Sequence, residues 1–174
     1  MTLATLLICF IVFLIIRSGK GQSGRLDMAV RCGCYDRVRI SRGQWWRLVT
    51  VAFTHIQGWH IAVNLYSLYA LSRLEESYGS LWFAAILFGS AAGGSLLEYT
   101  VSKTRYSVGL SGGLYGLMMS YALIVMSVSP SGAKSLLPTI LINLAVSFAP
   151  GIAWQAHIGG ALTGMALTEV MLLA

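Results

Sequence analysis

Two dipeptides, Leu110-Ser111 and Ala156-His157, each place a polar side chain within a long apolar stretch of this chain. A serine and a histidine together could perform acyl-transfer chemistry. The first contains Ser111, which lies between Gly109 and Gly112. The second contains His157, which is followed by Gly160. A serine hydroxyl becomes an effective nucleophile when a neighbouring base removes its proton, and a histidine can do so at neutral pH. Polar residues this deep in apolar sequence are costly, so each is a functional hypothesis by default.

The composition indicates a membrane protein. The chain has 174 residues, of which 56% are hydrophobic and 10% charged. A soluble core cannot accommodate so much apolar sequence, whereas a bundle of transmembrane helices requires it. We therefore expect one all-α membrane domain over residues 1–174. The hydropathy pattern predicts six spans, at approximately residues 2–16, 59–75, 77–97, 107–128, 136–149 and 153–173.

Six alternating spans would bring the polar residues to one side of the membrane. Spans two, four and six run in the same direction, so their first turns lie on one face. His60 and Asn64 begin span two and share a helix stripe because they are four residues apart. Ser111 begins span four and His157 begins span six, which predicts a Ser–His dyad. The predicted donors to a tetrahedral oxyanion are the side chains of His60 and Asn64 and the amides of Leu110 and Ser111.

Glycines supply the close helix approach that this arrangement needs. Gly112 and Gly116 are four apart on span four, and Gly160 and Gly164 repeat this spacing on span six. Such stripes let membrane helices touch through their backbones. Both aspartates of the chain lie in the loop after span one, so no third catalytic carboxylate is expected. His55 is expected only to pack within its loop.

The charged residues and cysteines narrow the choice of partners. The net charge is +6, and eight of the twelve basic residues lie in the long loop after span one. A basic stretch beside a membrane normally faces lipid headgroups, so the expected partner is a lipid bilayer and not a nucleic acid.

Cys32 and Cys34 have no further metal ligands nearby, so no metal or cofactor is expected. The chain has no His-Glu-x-x-His pattern, which argues against a metalloprotease.

Taken together, the motifs resemble those of the rhomboid family of intramembrane serine proteases. The matching elements are Trp46-Arg47, His60-xxx-Asn64, Glu75-xxx-Gly79, Gly109-Leu110-Ser111-Gly112 with Tyr115, and Ala156-His157-xx-Gly160-xxx-Gly164. The resemblance implies that Ser111 is the nucleophile, His157 is the base, and Tyr115 packs against the imidazole. It also implies a long first loop organised by Trp46 and Arg47, and a mobile fifth helix beside the path of the substrate.

The resemblance further implies the kind of substrate and the location. Substrates of the family are single-spanning membrane proteins that are cut within or next to the span, and no cofactor is implied. We expect a multi-pass protein of the plasma membrane, and its oligomeric state is left open. Counted from Gly79, the family's acidic residue is Glu75, whereas counted from Asn64 it is Glu76; the local turn favours Glu75. The family orientation puts ten of the twelve Lys and Arg outside the cytoplasm, against the positive-inside rule.

Two other functions compete with proteolysis. A catalytically inactive relative that binds membrane clients would usually lack the serine or the histidine, and this chain has both. A small transporter could use an intramembrane histidine and asparagine for protons or ions. Such a protein would be expected to carry carboxylates within its spans and repeated halves, and the sequence offers little of either.

Overall fold

The computed structural model describes the backbone of residues 1–174 and the side chains of all but Pro130 and Ala133. It is mostly helical. In chain order the elements are α1 (Thr2–Arg17), α2 (Gly21–Arg31), β1 (Tyr35–Asp36), α3 (Arg37–Ser41), α4 (Arg47–Thr50), a 3₁₀ turn (Val51–Phe53), α5 (Gly58–Ala70), α6 (Arg73–Val101), β2 (Tyr106–Ser107), α7 (Ser111–Val128), α8 (Pro130–Ser147) and α9 (Trp154–Leu173).

Each of the six predicted spans overlaps one of the helices α1 and α5 to α9. Three of these, α6, α7 and α9, are long and apolar enough to cross a membrane, and two shorter apolar helices are Thr2–Arg17 and Lys134–Ser147. The second predicted span, 59–75, ends earlier, because α5 stops at Ala70 after 13 residues. At 1.5 Å per residue this helix is about 20 Å long, short of a hydrocarbon core of about 30 Å.

The polar turn at the start of α6 explains why α5 ends before, and α6 begins before, the bounds predicted for the second and third spans. The helix begins at Arg73 and continues to Val101, although Gly79 has φ +76° and interrupts the helical geometry. A positive φ is tolerated by glycine because it has no Cβ. The polar residues from Arg73 to Gly79, which were expected to separate two spans, therefore form the first turns of one kinked helix.

Helices α6, α7 and α9 form a frame in which backbones touch. A Cβ added at Gly160 would lie 2.7 Å from the carbonyl carbon of Gly112, and one at Gly164 would lie 2.6 Å from that of Gly116. No side chain fits at such distances, so α9 contacts α7 through main-chain atoms. The apolar core between α6 and α7 is formed by Phe83, Ile86, Leu87, Leu110, Leu114 and Leu117.

Residues 18–57, which we term the first loop, contain α2 to α4 and are held by backbone pairing and a buried arginine. Strand β1 pairs antiparallel with β2, with Tyr35 opposite Ser107. The Arg47 guanidinium is buried and donates to the carbonyls of Val30 and Cys34, each at 2.9 Å. Its Cζ also lies 4.5 Å from the centroid of the Trp46 ring. The first loop is therefore fastened to the segment that leads into α7.

Candidate active site

Ser111 and His157, which the sequence places far apart, lie within hydrogen-bond distance in the folded chain. Ser111 is the first residue of α7, and His157 lies in the first turn of α9. The His157 Nε2 is 2.9 Å from the Ser111 Oγ. This closeness follows from the backbone contact between the two helices, in which Gly160, one turn after His157, faces Gly112, the residue after Ser111. A hydroxyl and an imidazole at this distance can exchange a proton.

The other edge and one face of the His157 ring are also occupied. The Tyr115 ring stacks on the imidazole with centroids 4.2 Å apart and an interplanar angle of 13°. The imidazole Nδ1 lies 2.8 Å from the Oγ of Ser147, near the end of α8. Ser147 is fully buried and donates to the carbonyl oxygen of Asn143 at 2.9 Å. The Tyr115 hydroxyl lies 2.6 Å from the Ser147 Oγ and donates to the same Asn143 oxygen at 2.5 Å.

His60 and Asn64 converge on the residue that precedes the Leu110–Ser111 pair. A Cβ added at Gly109 would lie 2.6 Å from the His60 Cε1 and 3.4 Å from the Asn64 Nδ2. Gly109 has φ +123°, a conformation that other residues rarely adopt. Because α7 begins at Ser111, the amides of its first turn have no partner within the helix. Side-chain donors therefore meet at Gly109, next to the helix N-terminus at Ser111, an arrangement that favours negative charge.

His55, for which the sequence indicated only loop packing, holds part of this donor group. It is fully buried, and its Nε2 lies 2.8 Å from the Asn64 Nδ2. The same nitrogen accepts from the amide of Leu110 at the longer distance of 3.4 Å. Burial, together with the nearby His60 ring, lowers the pKa of His55 to about 3. The ring is therefore neutral, and with its proton on Nδ1 the single Nε2 lone pair accepts from Asn64 and is shared with the longer Leu110 contact.

A cavity of about 1040 Å³ opens onto these residues. Ser111, His157, Tyr115, His60 and Asn64 all contribute to its wall. Further wall residues come from α5 on one side and α8 on the other, among them Trp59, Val63, Ser67, Leu136, Ile140 and Val146. The space is sufficient for several residues of an extended peptide, and its walls are largely apolar.

Three further residues singled out in the sequence lie outside this cavity wall. Trp46 and Arg47 belong to the first loop, where the guanidinium binds backbone carbonyls. Glu75 lies at the start of α6, where it accepts from the Thr2 amide at 2.8 Å and the Ser80 hydroxyl at 2.5 Å. In the part of the chain that the structure describes, no group of three or more His, Cys, Asp or Glu could hold a metal ion.

Comparison with known proteins places these residues in a family context. A family model described as the Rhomboid domain matches residues 42–174. RHOMBOID-like protein 5 of Arabidopsis thaliana is 34% identical over 152 residues, which cover 82% of this chain and 49% of that protein. RHOMBOID-like protein 6, mitochondrial, of the same plant is 33% identical over 151 residues, with shares of 82% and 49%.

A bacterial relative is similar over the same part of the chain. Rhomboid protease GluP of Bacillus subtilis (strain 168) is 31% identical over 155 residues, which cover 83% of this chain and 30% of that protein. The chain thus spans about half or less of the length of these three relatives.

Proposed function

The chain belongs to the rhomboid family, and we propose that it acts as an intramembrane serine endopeptidase. Its family and its apolar helices make it an integral membrane protein. The observation that carries the proposal is the 2.9 Å distance between the Ser111 Oγ and the His157 Nε2. This pair stands at the wall of a cavity that can take a peptide.

The proposed reaction is acyl transfer in two steps. The Ser111 Oγ attacks the carbonyl carbon of the scissile bond while its proton passes to the His157 Nε2. The C–N bond then breaks, and the imidazolium gives that proton to the departing amine. In the second step His157 takes a proton from water as the water oxygen attacks the acyl-enzyme ester. The bond between the acyl carbon and the Ser111 Oγ then breaks, the imidazolium returns its proton to that oxygen, and the carboxyl product leaves. The dyad works without a carboxylate, a metal or an organic cofactor.

The tetrahedral oxyanion would be stabilised by donors that surround Gly109. These are the His60 ring, the Asn64 amide, and the amides of Leu110 and Ser111. The Leu110 amide donates to His55 at the long distance of 3.4 Å, and an oxyanion can replace this bond, since charged acceptors form stronger hydrogen bonds. Each such donor typically contributes a factor of about 10²–10³ to the rate.

The proposed substrates are single-spanning membrane proteins, cut within or next to the span. The walls that α5 and α8 contribute to the cavity support lateral approach of a substrate between these two helices. In this proposal all six of the helices α1 and α5 to α9 cross the plasma membrane, and the first loop lies against the lipid headgroups. Trp46 and Arg47 organise that loop, and Glu75 links the start of α1 to the first turns of α6.

The test is cleavage of a fluorescent transmembrane-segment substrate in liposomes by wild type, Ser111→Ala and His157→Ala. We expect each substitution to reduce kcat by about 10³-fold or more, since the two residues act as a unit. Ser127→Ala is the matched control, because Ser127 is an exposed serine of the same helix and its hydroxyl donates to the Ile124 carbonyl.

The outcomes separate the competing functions. Cleavage that survives Ser111→Ala would refute the assigned nucleophile. A wild-type protein that cleaves no member of a substrate panel but still captures transmembrane segments would instead be an inactive client-binding relative.

A further inference from the structure

We propose that Ser147 is a positioning residue for His157, holding the imidazole in the tautomer that a general base requires. The inference rests on the proposed protease function. Both ring nitrogens have a hydroxyl partner: Nε2 faces Ser111 at 2.9 Å and Nδ1 faces Ser147 at 2.8 Å. In a neutral imidazole one nitrogen donates and the other accepts. Nε2 can take the Ser111 proton only when Nδ1 carries the ring proton and donates it to Ser147.

The surroundings of Ser147 favour that direction. The Asn143 carbonyl oxygen, 2.9 Å away, can only accept, so the Ser147 hydroxyl donates to it. A lone pair of the Ser147 oxygen is then free to accept from the His157 Nδ1–H. The Tyr115 hydroxyl, 2.6 Å from the Ser147 Oγ, gives its own proton to the same Asn143 oxygen and so supplies no donor to Ser147. In the opposite tautomer Ser147 would have to donate to Nδ1, and its lone pairs would have no donor. A fully buried hydroxyl oxygen that accepts no hydrogen bond is destabilising. The network therefore favours the tautomer in which Nε2 is unprotonated.

A hydroxyl suits this position better than the carboxylate of a catalytic triad. An ionised carboxylate is expensive inside a membrane protein. A serine in a helix can instead satisfy its own proton on the carbonyl four residues earlier, as Ser147 does with Asn143. It then offers a neutral acceptor to the imidazole without burying a negative charge.

The position of Ser147 in the fold makes the base dependent on α8. Ser111 lies on α7 and His157 on α9, whereas Ser147 lies on α8. Among the α8 side chains that the structure describes, only that of Ser147 is fully buried. Tyr115 connects α8 to the base, because its ring stacks on the His157 imidazole and its hydroxyl donates to the Asn143 carbonyl of α8. The orientation of the His157 imidazole therefore depends on α8 being packed against α7.

The test compares substitutions that differ only in the hydroxyl. Ser147→Thr retains it, and Ser147→Val has nearly the same shape without it. Ser147→Ala makes the same comparison against wild type without added volume. Ser135→Ala is the control, since Ser135 is an exposed serine of α8 whose hydroxyl donates to the Gly132 carbonyl. With the transmembrane-segment substrate in liposomes, we expect kcat to be about 10-fold lower for Val than for Thr, as for loss of one hydrogen bond, with KM unchanged.

A spectroscopic measurement separates positioning from a structural role. The chain has three histidines, so ¹⁵N-histidine labelling gives few resonances, and His157→Gln identifies those of His157. Solid-state NMR in liposomes should show a protonated Nδ1 and an unprotonated Nε2 in wild type and Ser147→Thr. A mixture of tautomers should appear in Ser147→Val and Ser147→Ala.

The combined results distinguish failure of this inference from failure of the proposed function. Equal kcat for Thr and Val, or His157 tautomers unaffected by loss of the hydroxyl, would overturn the positioning role even if wild type cleaves its substrate. A wild-type protein no more active than Ser111→Ala would remove the protease function. The NMR comparison would in that case still decide whether Ser147 sets the tautomer.

Discussion

The backbone contact between α7 and α9 gives a quantitative prediction for Gly160→Ala. The new Cβ would lie 2.7 Å from the Gly112 carbonyl carbon and closer still to its oxygen, whereas ordinary contact begins at 3.4 Å. A side chain could rotate away, but a helix carbonyl cannot, so the two helices must separate by about 1 Å. Overpacking of this kind typically costs about 1–3 kcal/mol. We therefore expect the folding equilibrium constant to fall by about 5–150-fold.

The same displacement should reduce activity beyond the loss of folded protein. Gly160 lies one helical turn after His157, so separating the helices there lengthens the 2.9 Å contact between Ser111 and His157. Misplacement of reacting groups by about 1 Å can cost about 10²-fold in rate. We expect kcat per folded molecule to fall by about that factor.

Equilibrium unfolding in mixed micelles and cleavage in liposomes measure the two effects separately. Gly58→Ala is the matched control, because Gly58 is a helical glycine at which an added Cβ would meet nothing within 4 Å. Alanine is the better helix former, so this control should be as stable as wild type or slightly more so. A Gly160→Ala protein with wild-type stability and wild-type kcat would refute the claim that backbone contact sets the dyad geometry.

Two further predictions concern the first loop. Asp36 caps α3 by accepting from two amides of its first turn, so Asp36→Ala should lower the free energy of unfolding by about 1–2 kcal/mol. Asp27→Ala, which breaks only an exposed ion pair, should cost about 0.5 kcal/mol; equal losses in thermal unfolding would contradict the capping role. Burial raises the pKa of Cys34 to about 12, so a maleimide at neutral pH should label the more exposed Cys32 first. Peptide mass mapping checks the order, and equal labelling rates would show that Cys34 is not shielded.

The family and the neighbourhood of Ser111 and His157 could be predicted because they depend on regular patterns. The expected alternation of the apolar spans placed Ser111 and His157 on one side, and the two side chains lie 2.9 Å apart. The four-residue spacing of Gly112 and Gly116, repeated on the last span, indicated which helices touch. Such signals are carried by short stretches of sequence, and the family resemblance drawn from them is confirmed.

The partners of the polar groups could not be predicted, because they depend on how separate elements dock. Ser147 lies in a helix without a distinctive pattern, and its contact with His157 exists only once α8 lies against α7. His55 lies in a loop, and its bond to Asn64 depends on the path of the residues between the 3₁₀ turn and α5. Strands of two residues, such as β1 and β2, are too short to leave a pattern in the sequence.

For the substrate entry beside α8 that is proposed above, the shallow seating of this helix sets the energy scale. Its apolar side chains gain little by leaving lipid tails for another helix. Polar contacts between membrane helices, here those of Ser147 and Asn143, contribute about 0.6–2 kcal/mol each, on the order of one to three RT. Fluctuations of that size occur continually at ambient temperature. Sideways release of α8 would therefore need no nucleotide hydrolysis and no ion gradient.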